Sequence, residues 1–237
     1  MVKFVEIADG VYRIFAGRSN LYLLAGDDLT LVDTGMPGEE KNVIDCVDQI
    51  GRSLNELGHI LITHAHMDHM GSLAALKKSS GAKIVASRVE VDYIKGAKKT
   101  WTMGREGSAG KLFKGVLFFM ETFVFDYEPA DVDIACHGGE RIESFGGIQV
   151  LASPGHSPGS MSYYLKDKGI LITGDALSGS PDLRLPPRFG CADYHQALQS
   201  VNKFAELDFE LCLFGHGDPL TSKASSRVRK LVKDATG

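Results

Sequence analysis

Short apolar segments, either alternating with polar residues or unbroken for four or five positions, recur near residues 2–7, 11–15, 20–25 and 29–33. Turn-forming residues separate them at Asp9-Gly10 and Gly26-Asp27-Asp28, so the pattern predicts four strands in succession. The period then changes. Val43, Ile44, Val47 and Ile50 follow Pro37-Gly38 at helical spacing and predict a helix over about 39–50. A strand over 59–63, a helix over about 68–79, a strand over 83–87 and a short helix near 88–95 come next. Farther on, apolar runs near 141–145, 148–152, 161–166 and 169–173 predict strands. A helix at about 193–207, a strand at 210–214 and a final helix at about 223–234 complete the chain, with Asp193 placed to cap the first of them. Strands and helices alternate through two similar halves with no linker between them, which predicts a layered α/β domain spanning residues 1–237. The halves show no sequence repeat that aligns.

The segment from about 96 to 128 breaks this rhythm. It holds Trp101, the only tryptophan, with Met103, Phe113, Phe118, Phe119, Met120, Phe123, Phe125 and Tyr127, and it is interrupted by Gly104, Gly107, Gly110 and Gly115. Residues 112–125 are too apolar to stay in water. They are expected to cover something, either the body of the domain, a dimer interface or a substrate pocket.

Chemistry concentrates just past the predicted strands. His64-Ala65-His66-Met67-Asp68-His69 follows the apolar Ile60-Leu61-Ile62-Thr63, and places three of the eight histidines and a carboxylate within six residues. Neutral imidazoles and carboxylates are ligands for Zn, Fe or Mn. A His-x-His at a strand end aims both rings the same way, because strand side chains repeat every two residues. His156 lies in the turn-rich Ser153-Pro154-Gly155-His156-Ser157-Pro158-Gly159-Ser160, Asp175 ends Ile170-Leu171-Ile172-Thr173-Gly174-Asp175, and His216 follows Leu211-Cys212-Leu213-Phe214-Gly215. Ligand-type residues past four separate strands imply one shared metal site. His59, His137 and His195 fall outside the pattern and are read as surface or turn histidines.

With Leu31-Val32-Asp33-Thr34-Gly35 these motifs stand in an order that resembles the metallo-β-lactamase-fold hydrolases, and the likeness spans most of the chain. The resemblance implies a four-layer αββα sandwich. It implies one metal held by His64, His66 and His156, a second held by Asp68, His69 and His216, Asp175 bridging them, and Asp33 orienting the histidine loop from behind. Two divalent ions, zinc first with iron or manganese as alternatives, would sit about 3.5–4 Å apart and acidify a shared water from pKa about 15.7 towards about 7. The resulting hydroxide would attack a carbonyl, and Asp68 would relay a proton to the leaving group or serve as ligand alone.

Departures from particular branches narrow the reaction. The best-known zinc β-lactamases put arginine where His69 stands and cysteine where Asp175 stands. Flavodiiron oxygen reductases carry glutamate in place of His66. Glyoxalase II enzymes share the ligand set but continue into a helical domain, whereas this chain ends about twenty residues after His216. Acyl-homoserine lactonases have a tyrosine where Ser178 stands, a missing oxyanion partner that does not exclude lactone hydrolysis. The expected activity is hydrolysis of an ester-like bond, thioester or lactone first. The alternative is a mononuclear iron persulfide dioxygenase, which would leave part of the ligand set idle. A non-catalytic binding module would not need every ligand position.

Composition limits the remaining choices. At 237 residues and 43% hydrophobic, the chain can bury a substantial core. No apolar run reaches the roughly eighteen residues that span a membrane. The opening Met1-Val2-Lys3-Phe4-Val5-Glu6 lacks a signal-peptide core, so a cytoplasmic protein is expected. Cys46, Cys136, Cys191 and Cys212 form no Cys-x-x-Cys pair and are expected to be reduced. A net charge of −4 without a basic stripe argues against nucleic acid as partner. A small-molecule substrate is expected, and a homodimer is left open. Arg184 or Arg188, on the proline-rich loop after Asp175, is placed to meet an anionic substrate group or simply to be solvated.

Overall fold

The computed structural model describes residues 4–98 and 127–236, so most of the aromatic segment at 96–128 lies outside the described residues. Strands β1 (Phe4–Ala8), β2 (Val11–Ala16), β3 (Ser19–Ala25), β4 (Leu29–Val32), β5 (Leu57–Leu61), β6 (Lys83–Ser87) and β7 (Ile134–Cys136) form one sheet in sequence order. A second sheet runs β12-β11-β10-β9-β8, where β8 is Arg141–Ile142, β9 Ile148–Ala152, β10 Met161–Leu165, β11 Ile170–Gly174 and β12 Leu211–Phe214.

Alternation along the strands sorts side chains into layers. On β3, Leu21 and Leu23 face outward with Val43, Cys46 and Val47 of α1 (Glu40–Gln49) and Leu73 and Leu76 of α3 (Leu73–Ser80). Tyr22 and Leu24 face inward, where they join Val32, Leu61 and Val85 and meet Ile148, Val150, Tyr163 and Ile172 of the other sheet. The outer face of that second sheet, Leu171, Cys212 and Phe214, packs on Val201 and Phe204 of α5 (Tyr194–Phe204) and Val228 of α6 (Ala224–Thr236). The architecture is the αββα sandwich. Because every central strand is covered on both faces, its residues are buried without interruption, which is why β3 and β11 read as apolar runs rather than as strict alternations.

Strand direction brings the motif ends together. β4, β5 and β6 are mutually parallel; β9 and β11 both run antiparallel to β10, and β12 is parallel to β11. The carboxyl ends of β4 and β5 in one sheet, and of β9, β11 and β12 in the other, therefore carry all of the motifs.

Several elements depart from the pattern-based reading. The helix expected over 68–79 is two, α2 (Met67–Met70) and α3: the Gly71 N–H and the Ser72 hydroxyl donate to Gly35 O and Met36 O, and Ser72 leaves helical geometry at φ −96 and ψ +11. The strand expected near 141–145 stops at Ile142: Phe145 adopts φ +48 and Gly146-Gly147 follow at positive φ in a tight turn. β7 was not expected; three residues at the sheet edge carry too short a pattern to register. The Asp193 carboxylate caps α5 as expected, accepting the Gln196 backbone N–H at 2.9 Å. All four cysteines are free and buried. No described helix is long and apolar enough to cross a membrane.

Candidate metal centre

The carboxyl end of β4 supplies Asp33, which takes a left-handed conformation at φ +61, one that a short polar side chain tolerates. Its Oδ1 accepts the Thr63 backbone N–H at 2.8 Å, and its Oδ2 accepts both the Thr63 hydroxyl and His69 Nδ1–H, each at 2.8 Å. One buried carboxylate thus organises the start and the end of the histidine run. The loop after β4 is latched to α2 by Thr34 N–H to His69 O at 2.7 Å and Gly71 N–H to Gly35 O at 2.8 Å.

These contacts decide which nitrogen each ring presents. Since the Thr63 hydroxyl donates to Asp33, its oxygen is free to accept from His64 Nδ1, 3.0 Å away, and His64 Nε2 is left as a bare lone pair. In its neutral form His69 gives its Nδ1 proton to Asp33, which leaves Nε2 as the bare nitrogen. His216 gives its Nδ1 proton to Arg18 O at 2.7 Å, with the same result. A buried histidine whose tautomer is fixed by a rear acceptor is the usual arrangement of a metal ligand.

The bare atoms converge. His64 Nε2 lies 2.9 Å from His66 Nδ1, which lies 3.1 Å from His156 Nε2. Across the pocket, Asp68 Oδ2 is 3.4 Å from His216 Nε2 and 3.8 Å from His69 Nε2. Asp175 stands between the two groups: its Oδ2 is 3.4 Å from His156 Nε2 and 3.3 Å from His216 Nε2, and its Oδ1 is 3.5 Å from His69 Nε2. The ligand atoms of His64, His66 and His156, of Asp68, His69 and His216, and of His64, His69 and Asp175 form three sets, each within 4.8 Å. All seven expected ligands and Asp33 are therefore in one place.

His64 and His66 converge differently from the expectation drawn from strand alternation. The strand ends at Leu61, and both rings stand on irregular backbone, so His64 offers Nε2 and His66 offers Nδ1. Close approach of Asp175 and His69 is built into Gly215. A Cβ at Gly215 would collide with Asp175 Oδ1 and come 2.7 Å from His69 Cε1.

Electrostatics separate the two groups. Burial holds His64, His66 and His156 below the ordinary histidine range, with neighbouring rings adding to the effect at His64, and His156 is pushed down to about 4. Burial also opposes charge on His69, yet Asp175, Asp68 and Asp33 outweigh it and lift the ring to about 10. His216 is raised as well, burial being overcome by the Asp175 carboxylate. Asp175, whose burial alone would favour the neutral acid, is held well below the carboxylate range by His69, His156 and His216.

The donor set fits divalent ions on its own chemistry. His69 Nε2 and Asp175 Oδ1 are buried and make no hydrogen bond although they point into the pocket, and ring nitrogens of His64 and His156 lie within 3.1 Å of His66 Nδ1. Nitrogen and carboxylate oxygen in this mixture suit Zn, Fe or Mn.

Several supporting residues have no motif to announce them. Ser19 donates to Asp68 O; Asn20 Nδ2 donates to Phe214 O at 3.0 Å and Gly217 O at 2.7 Å; Tyr22 O–H donates to Phe214 O at 2.7 Å. Buried Glu90 accepts from Ser157 and Gly159, beside His156. A polar residue inside an otherwise apolar strand, as with Asn20, is the one signal that pointed to any of them. His137 and His195 are exposed, and His59 lies 3.7 Å from Asp28, all away from the centre. The Arg184 side chain is exposed, and Arg188 stacks over Tyr194 at 4.7 Å.

The sequence profile of the metallo-beta-lactamase superfamily matches residues 14–216, which include Asp33 and every one of the seven converging residues. The chain belongs to that superfamily. It is 32% identical over 231 residues to the uncharacterized protein YobT of Bacillus subtilis (strain 168), covering 91% of this chain and 90% of that one. It is 25% identical over 240 residues to the probable metallo-hydrolase YflN of the same organism, covering 92% and 88%. A crystal structure of a metallo-beta-lactamase family protein from Thermus thermophilus superposes with a TM-score of 0.72 at 23% identity, over 98% of this chain and 81% of that one, a likeness of fold. As a superfamily member with His/Asp clusters at the expected strand ends, the chain is a metal-dependent hydrolase at the level of the superfamily.

Proposed function

We propose that this chain is a dinuclear metal-dependent hydrolase that cleaves an ester-like bond, thioester or lactone. One observation carries the reading: a single carboxylate, Asp175, lies within 3.4 Å of a ligand nitrogen from each of two three-residue sets. His64, His66 and His156 would hold one ion, Asp68, His69 and His216 the other, and Asp175 would reach both. Bound there, a pair of divalent ions, zinc first, supplies a hydroxide at neutral pH and a Lewis acid for the substrate carbonyl. The chain's own part is to hold His64, His69 and His216 each in one tautomer, through Thr63, Asp33 and the Arg18 carbonyl. Asp68, a quarter exposed and 3.4 Å from His216 Nε2, would return a proton to the leaving group. Retention of His69 and Asp175, where the best-known zinc β-lactamases differ, directs the choice to ester-like substrates rather than antibiotics.

Metal analysis with a panel of thioesters and lactones tests this. The purified chain should carry close to two divalent ions, and D175N, isosteric but uncharged, should lose at least about a hundredfold in hydrolysis, the scale of a directly placed electrostatic group. One tightly bound iron, with oxygen uptake on a persulfide, would overturn the reading in favour of the dioxygenase.

A further inference from the structure

His156 reaches the pocket on a loop that is gripped from two sides. On the α5 side, Asp193 N–H donates to Gly155 O and Ala192 N–H to His156 O, both at 3.0 Å, and the Ser200 hydroxyl donates to Pro154 O at 2.7 Å. On the opposite side the grip is a single carboxylate. Glu90, at the start of α4 (Val91–Ile94), accepts the Ser157 hydroxyl at 2.6 Å and the Gly159 N–H at 2.8 Å through Oε1. Ser157 in turn lies 2.9 Å from the Ser160 hydroxyl, which accepts the Ser157 N–H at 3.0 Å, so the turn is closed on itself and tied to Glu90. Gly159 is glycine for this reason: a Cβ would come 2.6 Å from Glu90 Cγ.

Glu90 is only 2% exposed, and among the described residues no lysine or arginine pairs with it. A buried carboxylate without a cationic partner is costly unless positive charge arrives nearby. Its field acts on His66. His64, His66 and His156 contain no carboxylate of their own, whereas the other ligand set has Asp68 within it and Asp33 behind it.

Resting on the reading of the site as a metal centre, we infer that Glu90 is a positioning residue for the three-histidine pocket. It aims His156 through Ser157 and Gly159 and adds a negative charge, beside that of Asp175, to a trio with no carboxylate among its own members. Asp33 works in a similar way from behind the histidine run, directly on His69 and through Thr63 on His64.

Zn2+ titration against a chromophoric chelator, on the full chain stripped and reloaded, tests the assignment. E90A and E90Q should each weaken one of two Zn2+ binding steps and leave the other unchanged; for E90A the loss should be about 10–100-fold, the range for removing a partner behind a ligand. E90Q keeps the acceptor oxygen and the shape, so it serves even where E90A fails to fold, and a weakened step in it reads the charge alone. Pocket identity follows from paired backgrounds. In H216A, which retains the three-histidine pocket, E90Q should still lower Zn2+ affinity; in H156A it should change nothing. Wild-type affinity for both steps in E90Q, or equal losses in both backgrounds, would overturn the inference while leaving the metal centre standing. A wild-type chain that binds no Zn2+ would instead overturn the metal reading, and the role of Glu90 with it.

Discussion

Within the pocket the decisive variable is which histidines carry a proton before an ion arrives. For His64, His66 and His156 burial outweighs the pull of the nearby carboxylates, so the rings are neutral at pH 7, His156 only protonating near 4. His69 is just as buried, but three carboxylates hold a proton on it up to about 10, and His216 is shifted in the same direction. Ligation requires the neutral ring, so an ion entering the Asp68, His69 and His216 set must expel a proton that an ion entering the three-histidine set need not. Calorimetric titration of Zn2+ at pH 7 in buffers of different ionisation enthalpy should therefore resolve one binding step that releases about one proton or more and one that releases almost none. Equal release in both steps would contradict the asymmetry.

Among the elements, the β2–β3 hairpin has the least expected task. It belongs to the first sheet, yet it fastens the end of β12 in the second. Asn20 donates to Phe214 O and Gly217 O, accepts from Arg13 Nε at 2.9 Å, and donates its backbone N–H to Gly215 O at 2.8 Å. Arg18 O fixes His216, and Arg13 reaches Gly217 O and Asp218. The hairpin is thus the clamp that holds His216, carried by the second sheet, against Asp68 and His69 of the first. Asn20→Ala would leave buried carbonyls and the Arg13 fork short of partners, at a cost of about 1–3 kcal/mol. Thermal unfolding should register that loss, and Zn2+ binding should weaken at the His216 pocket while the three-histidine pocket is unaffected. A variant with unchanged melting and unchanged metal binding would show that the hairpin does not clamp.

For the molecule as a whole, the same shifts make the metal-free fold sensitive to pH on both sides of neutrality. His156 titrates at about 4 when folded against about 6.5 when unfolded, so its contribution is present above 6.5 and is lost as pH falls towards 4. That loss is on the order of 3 kcal/mol for His156 alone at pH 4, and His64 and His66 add to it in the same direction. His69 has the opposite sign: raised to about 10, its contribution is complete below about 6.5 and disappears as pH climbs towards 10. The chelator-stripped chain should melt at progressively lower temperature from pH 7 to pH 4, and more shallowly in H156N. A flat profile over that interval, or one that H156N leaves unchanged, would show that burial does not hold these rings neutral.

What could be read along the chain was whatever repeats or clusters locally. Apolar periods placed the strands near 11–15, 20–25, 83–87 and 148–152 within a residue or two, and ligand-type residues past apolar runs picked out His64, His66, Asp68, His69, His156, Asp175 and His216 before their neighbours in space were known. Tertiary structure decided the rest. Which nitrogen faces the pocket depends on a hydroxyl at Thr63 whose proton is committed to Asp33, thirty residues earlier. The role of Glu90 depends on Ser157 and Gly159, sixty-seven and sixty-nine residues later. Asn20 acts on Phe214 and Gly217 across almost the whole chain. Composition and period record what a residue does with its neighbours in sequence, because burial of one face is a property of the element itself. Hydrogen-bond partners and the asymmetry of charge between the two ligand sets arise only when sheet pairing brings separate strand ends to one edge, and no local pattern encodes that meeting.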